Sequence, residues 1–253
     1  MAKWNKFPHD QKAITYAGDT LKKNWEALHK GDGESYPNDA RLQEAWRQYH
    51  AGNFAEAAKA GAGHTVEIKA TSIYANHLEK KGAAKVTFYQ EAMALATALM
   101  KSDAKNSNAH YQFAYAAGRY SQSISVMKAL KEGYGGKIKS ALETALKLDP
   151  KHAEAHTAMG AYHAEIIDKV GGMVGKLTYG ANKEASIEHY EKAIKLNPAS
   201  PIAHIEYANG LLMLFGDKEE DKAVKLYEKA TKIKAKDAMD VLDIAMANNE
   251  LED

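Results

Sequence analysis

Apolar residues recur every three or four positions along almost the whole chain, and short polar breaks separate the segments. Within 10–30, for example, Ile14, Leu21, Trp25 and Leu28 fall on one side of a helix. This is the period of an amphipathic α-helix. Ala, Leu, Glu, Lys and Met dominate the segments, and the alternating patterns typical of strands are nearly absent. The pattern predicts an all-α fold of about a dozen helices.

Several segments share one internal pattern. In 141–162 and 186–210, a helix ends in Ala-x-Lys-Leu-Asp/Asn-Pro, a short turn follows, and Ala-His opens the next helix. A copy at 96–118 keeps the scheme but has Ala104 in the place of the proline, and a fourth at 226–242 also has an alanine there. A repeated helix–turn–helix unit of this kind is typical of stacked-repeat proteins.

The repeat resembles the tetratricopeptide repeat family over about 40–250. The matching positions are Gly160 in a first helix, Tyr190 and Ala193 in a second helix, and the closing Pro198. The resemblance implies antiparallel helix pairs stacked into a right-handed α-solenoid, whose concave wall is formed by the first helix of each pair.

The repeat is longer than that family's unit. The motif histidines His110, His156 and His204 lie 46 and 48 residues apart, whereas a tetratricopeptide repeat has about 34 residues. The surplus falls within 120–137 and 168–181, between the two helices of each repeat. Insertions in a solenoid map to loops on one face, so we expect these two to be neighbours in space. Such a chain is similar to a divergent branch that includes regulators of microtubule dynamics and repeat subunits associated with TRAP transporters.

The repeat also divides the chain. We predict an N-terminal helix and linker over 1–38, and a solenoid over 39–253 that ends in a capping helix with a polar outer face.

The second insertion contains a glycine-rich stretch, VGGMVGKLTYG at 170–180. A phosphate-binding loop requires G-x-x-x-x-G-K-[ST]. Here Val170 stands at the first position and Leu177 follows Lys176, so both ends of the motif fail. We interpret the glycines as turn formers. Since loops on a rigid scaffold often carry binding residues, the candidate contacts in the two insertions are Met127, Tyr134, Met173, Lys176 and Tyr179.

The first helix of each repeat supplies the candidate partner-binding residues. At helical spacing from the motif histidines, one face of each helix points to the concave wall. Aromatic and arginine side chains often dominate interface energy, although ordinary packing between helices is the alternative for the two tyrosines. The candidates are Tyr111, Tyr115, Arg119, Glu154, Thr157, Glu165, Ile205, Asn209 and Met213.

The motif histidines occupy the place where the family often has tryptophan, so we interpret them as packing residues. His152 and His156 are four apart, but the spacing is not that of a zinc protease helix and no carboxylate is placed as a third ligand. No nucleophile elbow or paired-carboxylate motif is present. We therefore expect no metal site, no cofactor and no catalytic residue.

Composition and net charge limit the classes of partner and site that can be expected. The formal net charge is +1 and there is no cysteine, so nothing favours nucleic acid and no disulfide or thiolate site can form. The longest apolar run, 211–215, is too short to span a bilayer. The first twelve residues lack a signal's apolar core, so we expect a cytoplasmic protein unless a leader has been removed.

These observations favour a non-catalytic binding protein that recognises a protein or peptide through its concave face and insertions. Two other classes stay open: a carrier or sensor with a small-molecule pocket under the insertions, and an enzyme whose groups converge there. A homo-oligomer is a further open alternative.

Overall fold

A computed structural model describes residues 4–252, so the first three residues of the predicted 1–38 segment and the last residue of the solenoid lie outside it. Within this part the chain is all-α and has no strand, which confirms the predicted fold class. Over residues 4–252, thirteen α-helices have six residues or more, and α10 is a single turn. Their bounds are α1 Thr20–Leu28, α2 Ala40–His50, α3 Phe54–Ala60, α4 Thr65–His77, α5 Gly82–Ser102, α6 Ser107–Ile124, α7 Val126–Lys131, α8 Tyr134–Leu148, α9 Ala153–Val170, α10 Gly172–Val174, α11 Lys183–Leu196, α12 Pro201–Phe215, α13 Glu220–Thr231 and α14 Ala238–Glu252.

The helices of the repeat pack in pairs. Helix α6 packs on α8, α9 on α11, and α12 on α13, while α9 also contacts both α6 and α12. The first insertion contains the short helix α7, and the second contains α10 and a π-helical turn over Gly175–Tyr179. Both insertions therefore lie between the two helices of a pair. The right-handed solenoid and the tetratricopeptide assignment stay predictions.

Each motif histidine binds the turn that precedes its own helix. The Nε2–H groups donate to carbonyl oxygens six residues earlier, from His110 to Ala104 at 3.1 Å, from His156 to Pro150 at 3.2 Å and from His204 to Pro198 at 3.1 Å. A carbonyl only accepts, so these bonds fix the imidazoles as Nε2–H tautomers when neutral.

A side-chain cap starts each of the same helices. The capping side chain lies four residues before the motif histidine and accepts from a backbone N–H in the first turn, which satisfies one of the free donors there. The caps are Asn106, His152 and Ser200. The repeated turn is thus held by both a cap and a histidine bond.

Tyr190 of α11 lies between two glycines of neighbouring first helices. A Cβ atom at Gly160 would come within 2.8 Å of the tyrosine ring, and one at Gly210 within 2.5 Å. Tyr190 is 1% exposed and stacks on Tyr207 at a centroid distance of 5.2 Å. Only glycine permits this close approach of three helices.

The C-terminal helix packs against the N-terminal half of the chain. Leu242 of α14 belongs to the same buried cluster as Trp46 of α2 and Tyr74 of α4. His77 and Asp243 are 3.2 Å apart, and His50 lies 3.0 Å from Asp237, just before α14. The other side of α14 places Ala247 in the cluster around α12 and α13. The last helix thus joins the two ends of the molecule.

The N-terminal segment packs on the same half. Trp25 of α1 stacks on His29 and meets Trp46 edge to face, at centroid distances of 4.0 and 5.8 Å. Asp32, which follows in the predicted linker, is buried and bonded to Lys69 of α4. This part of the chain therefore contributes to the interior.

Candidate functional site

A cavity of about 110 Å³ lies where α6, α9 and α12 meet, and α7 and α8 contribute to its wall; we call it the central cavity. Much of its wall is made of small side chains, which leave space between the helices. These are Ala114, Gly118, Ala129, Ala158 and Ala161, together with larger residues such as Tyr111, Tyr115 and Tyr162. A Cβ at Gly118 would meet no atom within 4 Å, so that glycine faces open space. The wall is mainly apolar, as in most ligand pockets.

An arginine–glutamate pair forms one charged part of the wall. Arg119 on α6 donates to Glu206 on α12 at 2.6 Å, and its guanidinium lies 5.4 Å from the centre of the Tyr115 ring. Burial disfavours the charge of Arg119, but the Glu206 carboxylate holds its pKa well above the usual range. The pair joins α6 to α12, the two first helices on either side of α9, and its glutamate neutralises the charge of Arg119.

A second carboxylate of the wall is also neutralised. Lys69 on α4 lies 2.9 Å from Glu154 on α9 and 2.6 Å from Asp32. His29 lies 2.9 Å from the same Asp32. Although burial raises the pKa of Asp32, the lysine and the histidine outweigh it and hold that pKa well below its usual range. This buried network ties the N-terminal segment to the middle of the repeat.

Glu165 on α9 differs from Glu206 and Glu154, the other two carboxylates of the cavity wall. It accepts a hydrogen bond from Gln122 on α6 at 3.3 Å and takes part in no salt bridge within residues 4–252. Burial raises its pKa, and the nearby Glu206 raises it further, while Gln122, Arg119 and Lys169 lower it. The cavity therefore contains one carboxylate without a cationic partner.

The structure brings six of the nine predicted concave residues to the central cavity. They are Tyr111, Tyr115, Arg119, Glu154, Thr157 and Glu165. The three residues from α12 lie elsewhere. Ile205 is fully buried in a core cluster, Asn209 accepts a hydrogen bond from the Tyr227 hydroxyl, and Met213 is 39% exposed outside the cavity.

The two insertions are neighbours, as predicted. A Cβ at Gly135, which lines the cavity, would come within 3.0 Å of the Tyr179 ring. The Tyr162 hydroxyl donates to the Tyr179 carbonyl at 3.2 Å. Tyr134 packs on Tyr120 at a centroid distance of 5.2 Å. The insertions thus meet beside the cavity.

The other predicted insertion residues point to solvent. Met127 is 46% exposed and Met173 is 79% exposed, and Lys176 is exposed as well. None of the three lines the central cavity.

Sequence reasoning missed two polar groups of the site. Gln122 lies three residues beyond Arg119 on α6, and Glu206 lies four residues beyond Ile202 on α12. The helical spacing used for the α6 candidates could have found Gln122, whereas the α12 candidates were placed on a different face from Glu206. Arg119 and Glu206 are 87 positions apart, so no local sequence pattern indicates that they form an ion pair.

The comparisons with known proteins identify the family. The fold and the cavity define an all-α, repeat-like protein with an apolar pocket between its helices. The family model described as "Regulator of microtubule dynamics protein 1-3" matches residues 68–252, which contain α5–α14 and the whole cavity. The chain belongs to this family. No curated protein matches it significantly.

Over residues 4–252, no helix combines the length and the apolar character that a bilayer span requires.

Proposed function

We propose that the chain is a non-catalytic binding protein that recognises a segment of a protein partner through the central cavity and the wall around it. The observation that carries the proposal is the cavity itself, a mainly apolar pocket between three consecutive first helices. Membership of the regulator of microtubule dynamics family supports a role in protein interaction.

The size of the cavity favours a side chain over a whole metabolite. An engineered protein cavity of about 150 Å³ holds one benzene molecule, and drug-sized ligands occupy roughly 300–1,000 Å³. At about 110 Å³ the central cavity suits one apolar side chain of a bound segment. Anchors of this kind, buried at the centre of an interface, carry much of its binding energy.

The lining also supports a binding role without catalysis. The titratable groups of the wall are tyrosines, one arginine and three glutamates, two of which are held in ion pairs. Among the described residues no histidine lines the cavity, and the motif histidines are engaged in turns.

The test is a peptide-display selection on the wild-type chain and on Gly118→Leu. A Cβ at this helical position meets no atom within 4 Å, so a leucine there should extend into the cavity, and thermal unfolding checks that the fold is kept. Gly82→Leu is the matched control, since a Cβ there also meets nothing within 4 Å and the residue lies at the start of α5, outside the cavity. We expect peptides enriched by the wild type and the control but not by Gly118→Leu. Equal enrichment by all three would place recognition elsewhere.

A small-molecule carrier is the second candidate, favoured by the mainly apolar wall and the cover that α7 gives. Native mass spectrometry of the chain isolated from its own cells separates the two. A mass excess of about a few hundred daltons that Gly118→Leu loses would support the carrier and contradict the peptide-binding proposal.

A further inference from the structure

The three carboxylates of the central cavity are not equivalent. Glu154 is neutralised by Lys69 at 2.9 Å and Glu206 by Arg119 at 2.6 Å. Glu165 has only the amide of Gln122, at 3.3 Å. Glu165 is therefore the one carboxylate of the wall that has no cationic partner within residues 4–252.

The positions of these groups explain why Glu165 has no cationic partner. Arg119 is the only cation that lines the cavity within residues 4–252, and its guanidinium is drawn to Glu206 on α12. Its planar fork stacks against Tyr115, at 5.4 Å from the ring centre, which fixes that orientation. Lys169, one turn further along α9, pairs at 2.7 Å with Asp168 at the surface.

A half-buried carboxylate without a counterion is unfavourable in the free protein. Burial disfavours the charged form, and the raised pKa of Glu165 reflects this. A cation on a ligand would supply the missing counterion of Glu165. The site is partly shielded from water, and there charge-assisted hydrogen bonds are strong. The same charge would repel an acidic ligand.

We propose that the segment recognised by the central cavity carries a lysine or arginine beside its apolar anchor, and that the cationic head pairs with Glu165. This inference rests on the proposed function and adds the chemistry of the partner. The aliphatic stem of the basic residue lies along the apolar wall while its charged end reaches the carboxylate, as such side chains do at protein surfaces. The partner is therefore a segment that combines apolar and basic residues.

The test uses the nonapeptide most enriched by the wild-type chain, synthesised in its selected form and with each basic residue replaced by norleucine. Dissociation constants are measured by calorimetry for wild type, Glu165→Gln and the control Glu188→Gln, whose side chain is exposed on α11. We expect Glu165→Gln to raise the dissociation constant of the basic peptide by about tenfold, which corresponds to the loss of one charge-assisted hydrogen bond. The norleucine peptide should bind all three chains alike, which shows that the variant keeps its fold.

Charge reversal gives a second readout. Selection on Glu165→Lys should enrich peptides with acidic residues beside the anchor. An enriched wild-type peptide without lysine or arginine, or an equal effect of Glu165→Gln on both peptides, would overturn the inference and leave the proposed function intact. Absence of any enrichment that depends on Gly118 would instead overturn the proposed function.

Discussion

At the scale of single residues, the repeat motif is explained by a few close contacts. The helix stripes and the Pro-to-His spacing predict where each turn lies, because capping and periodicity act over a few positions. The family resemblance points to particular glycine, tyrosine and histidine positions, and these residues make close contacts in the structure. Gly160 packs against the Tyr190 ring, and His156 donates a hydrogen bond to the carbonyl of Pro150. The sequence indicated only a packing role for the histidines, so their hydrogen bonds to the turn carbonyls could not be predicted from it.

The two glycines around Tyr190 give the first prediction. Gly160→Ala and Gly210→Ala each place a methyl group within 3 Å of the buried ring, so each should destabilise the fold by about 1–3 kcal/mol, the usual effect of overpacking. Gly136→Ala in α8, where a Cβ meets no atom within 4 Å, should stabilise it by about 0.5–1 kcal/mol. Denaturant unfolding measures all three, and a neutral effect of both overpacked variants would contradict the tight packing.

A histidine cluster between α9 and α11 gives the second prediction. His156 donates from Nε2, so its Nδ1 accepts from the Nδ1–H of His189 at 2.7 Å. Burial lowers the pKa of His163 and of His189 to about 4, and neighbouring positive groups add to the effect. An imidazole in the unfolded chain titrates near about 6.5, so the unfolded state binds more protons and stability falls as the pH drops from about 6.5 towards 4.

Replacement of His163 tests this pH dependence. Its Nδ1 is buried without a hydrogen-bond partner among the described residues. We expect His163→Leu to make the free energy of unfolding less dependent on pH between 6.5 and 4, with no loss of stability at pH 7. His64→Gln, at an exposed position, is the control. An unchanged slope in His163→Leu would show that this imidazole does not titrate on unfolding.

At the scale of elements, ion pairs connect helices that are distant in the chain. A periodic sequence pattern indicates where helices lie, but it does not indicate which buried charges will meet. Lys69 joins α4, α9 and the segment before α2 through Asp32 and Glu154, which are 122 positions apart. Glu154 was predicted to face a partner, and the structure places its carboxylate against this lysine.

Removal of the lysine gives the third prediction. Lys69→Met leaves Glu154 without a cation and Asp32 with His29 alone, so it should destabilise the fold by about 3–5 kcal/mol. Lys105→Met, at an exposed position, should change stability by about 0.5 kcal/mol or less. Thermal and denaturant unfolding compare them. Equal stabilities of the two variants would show that the network contributes little.

At the scale of the whole molecule, α14 connects the two ends of the fold. A capping helix in a simple stack contacts only its neighbours, and stability is then the sum of local terms. Here Leu242 packs with the N-terminal cluster and Asp243 lies 3.2 Å from His77. The fold is thus more cooperative between its ends than the repeat pattern alone predicts.

Leu242→Ala gives the fourth prediction. The lost packing should cost about 2–5 kcal/mol, and hydrogen exchange should accelerate in α2 and α4 as well as in α14. Leu212→Ala on α12, where the side chain is 37% exposed, is the control. Acceleration confined to α13 and α14 would mean that the last helix acts only as a local cap.

The cavity between α6, α9 and α12 is the surface through which we propose that the chain recognises its partner. The most direct test of this proposal is a crystal structure of the chain bound to the most enriched peptide. We expect an apolar peptide side chain inside the cavity beside Gly118, with a basic head within hydrogen-bond distance of Glu165. A peptide bound on another surface, with the cavity left empty, would contradict the proposal.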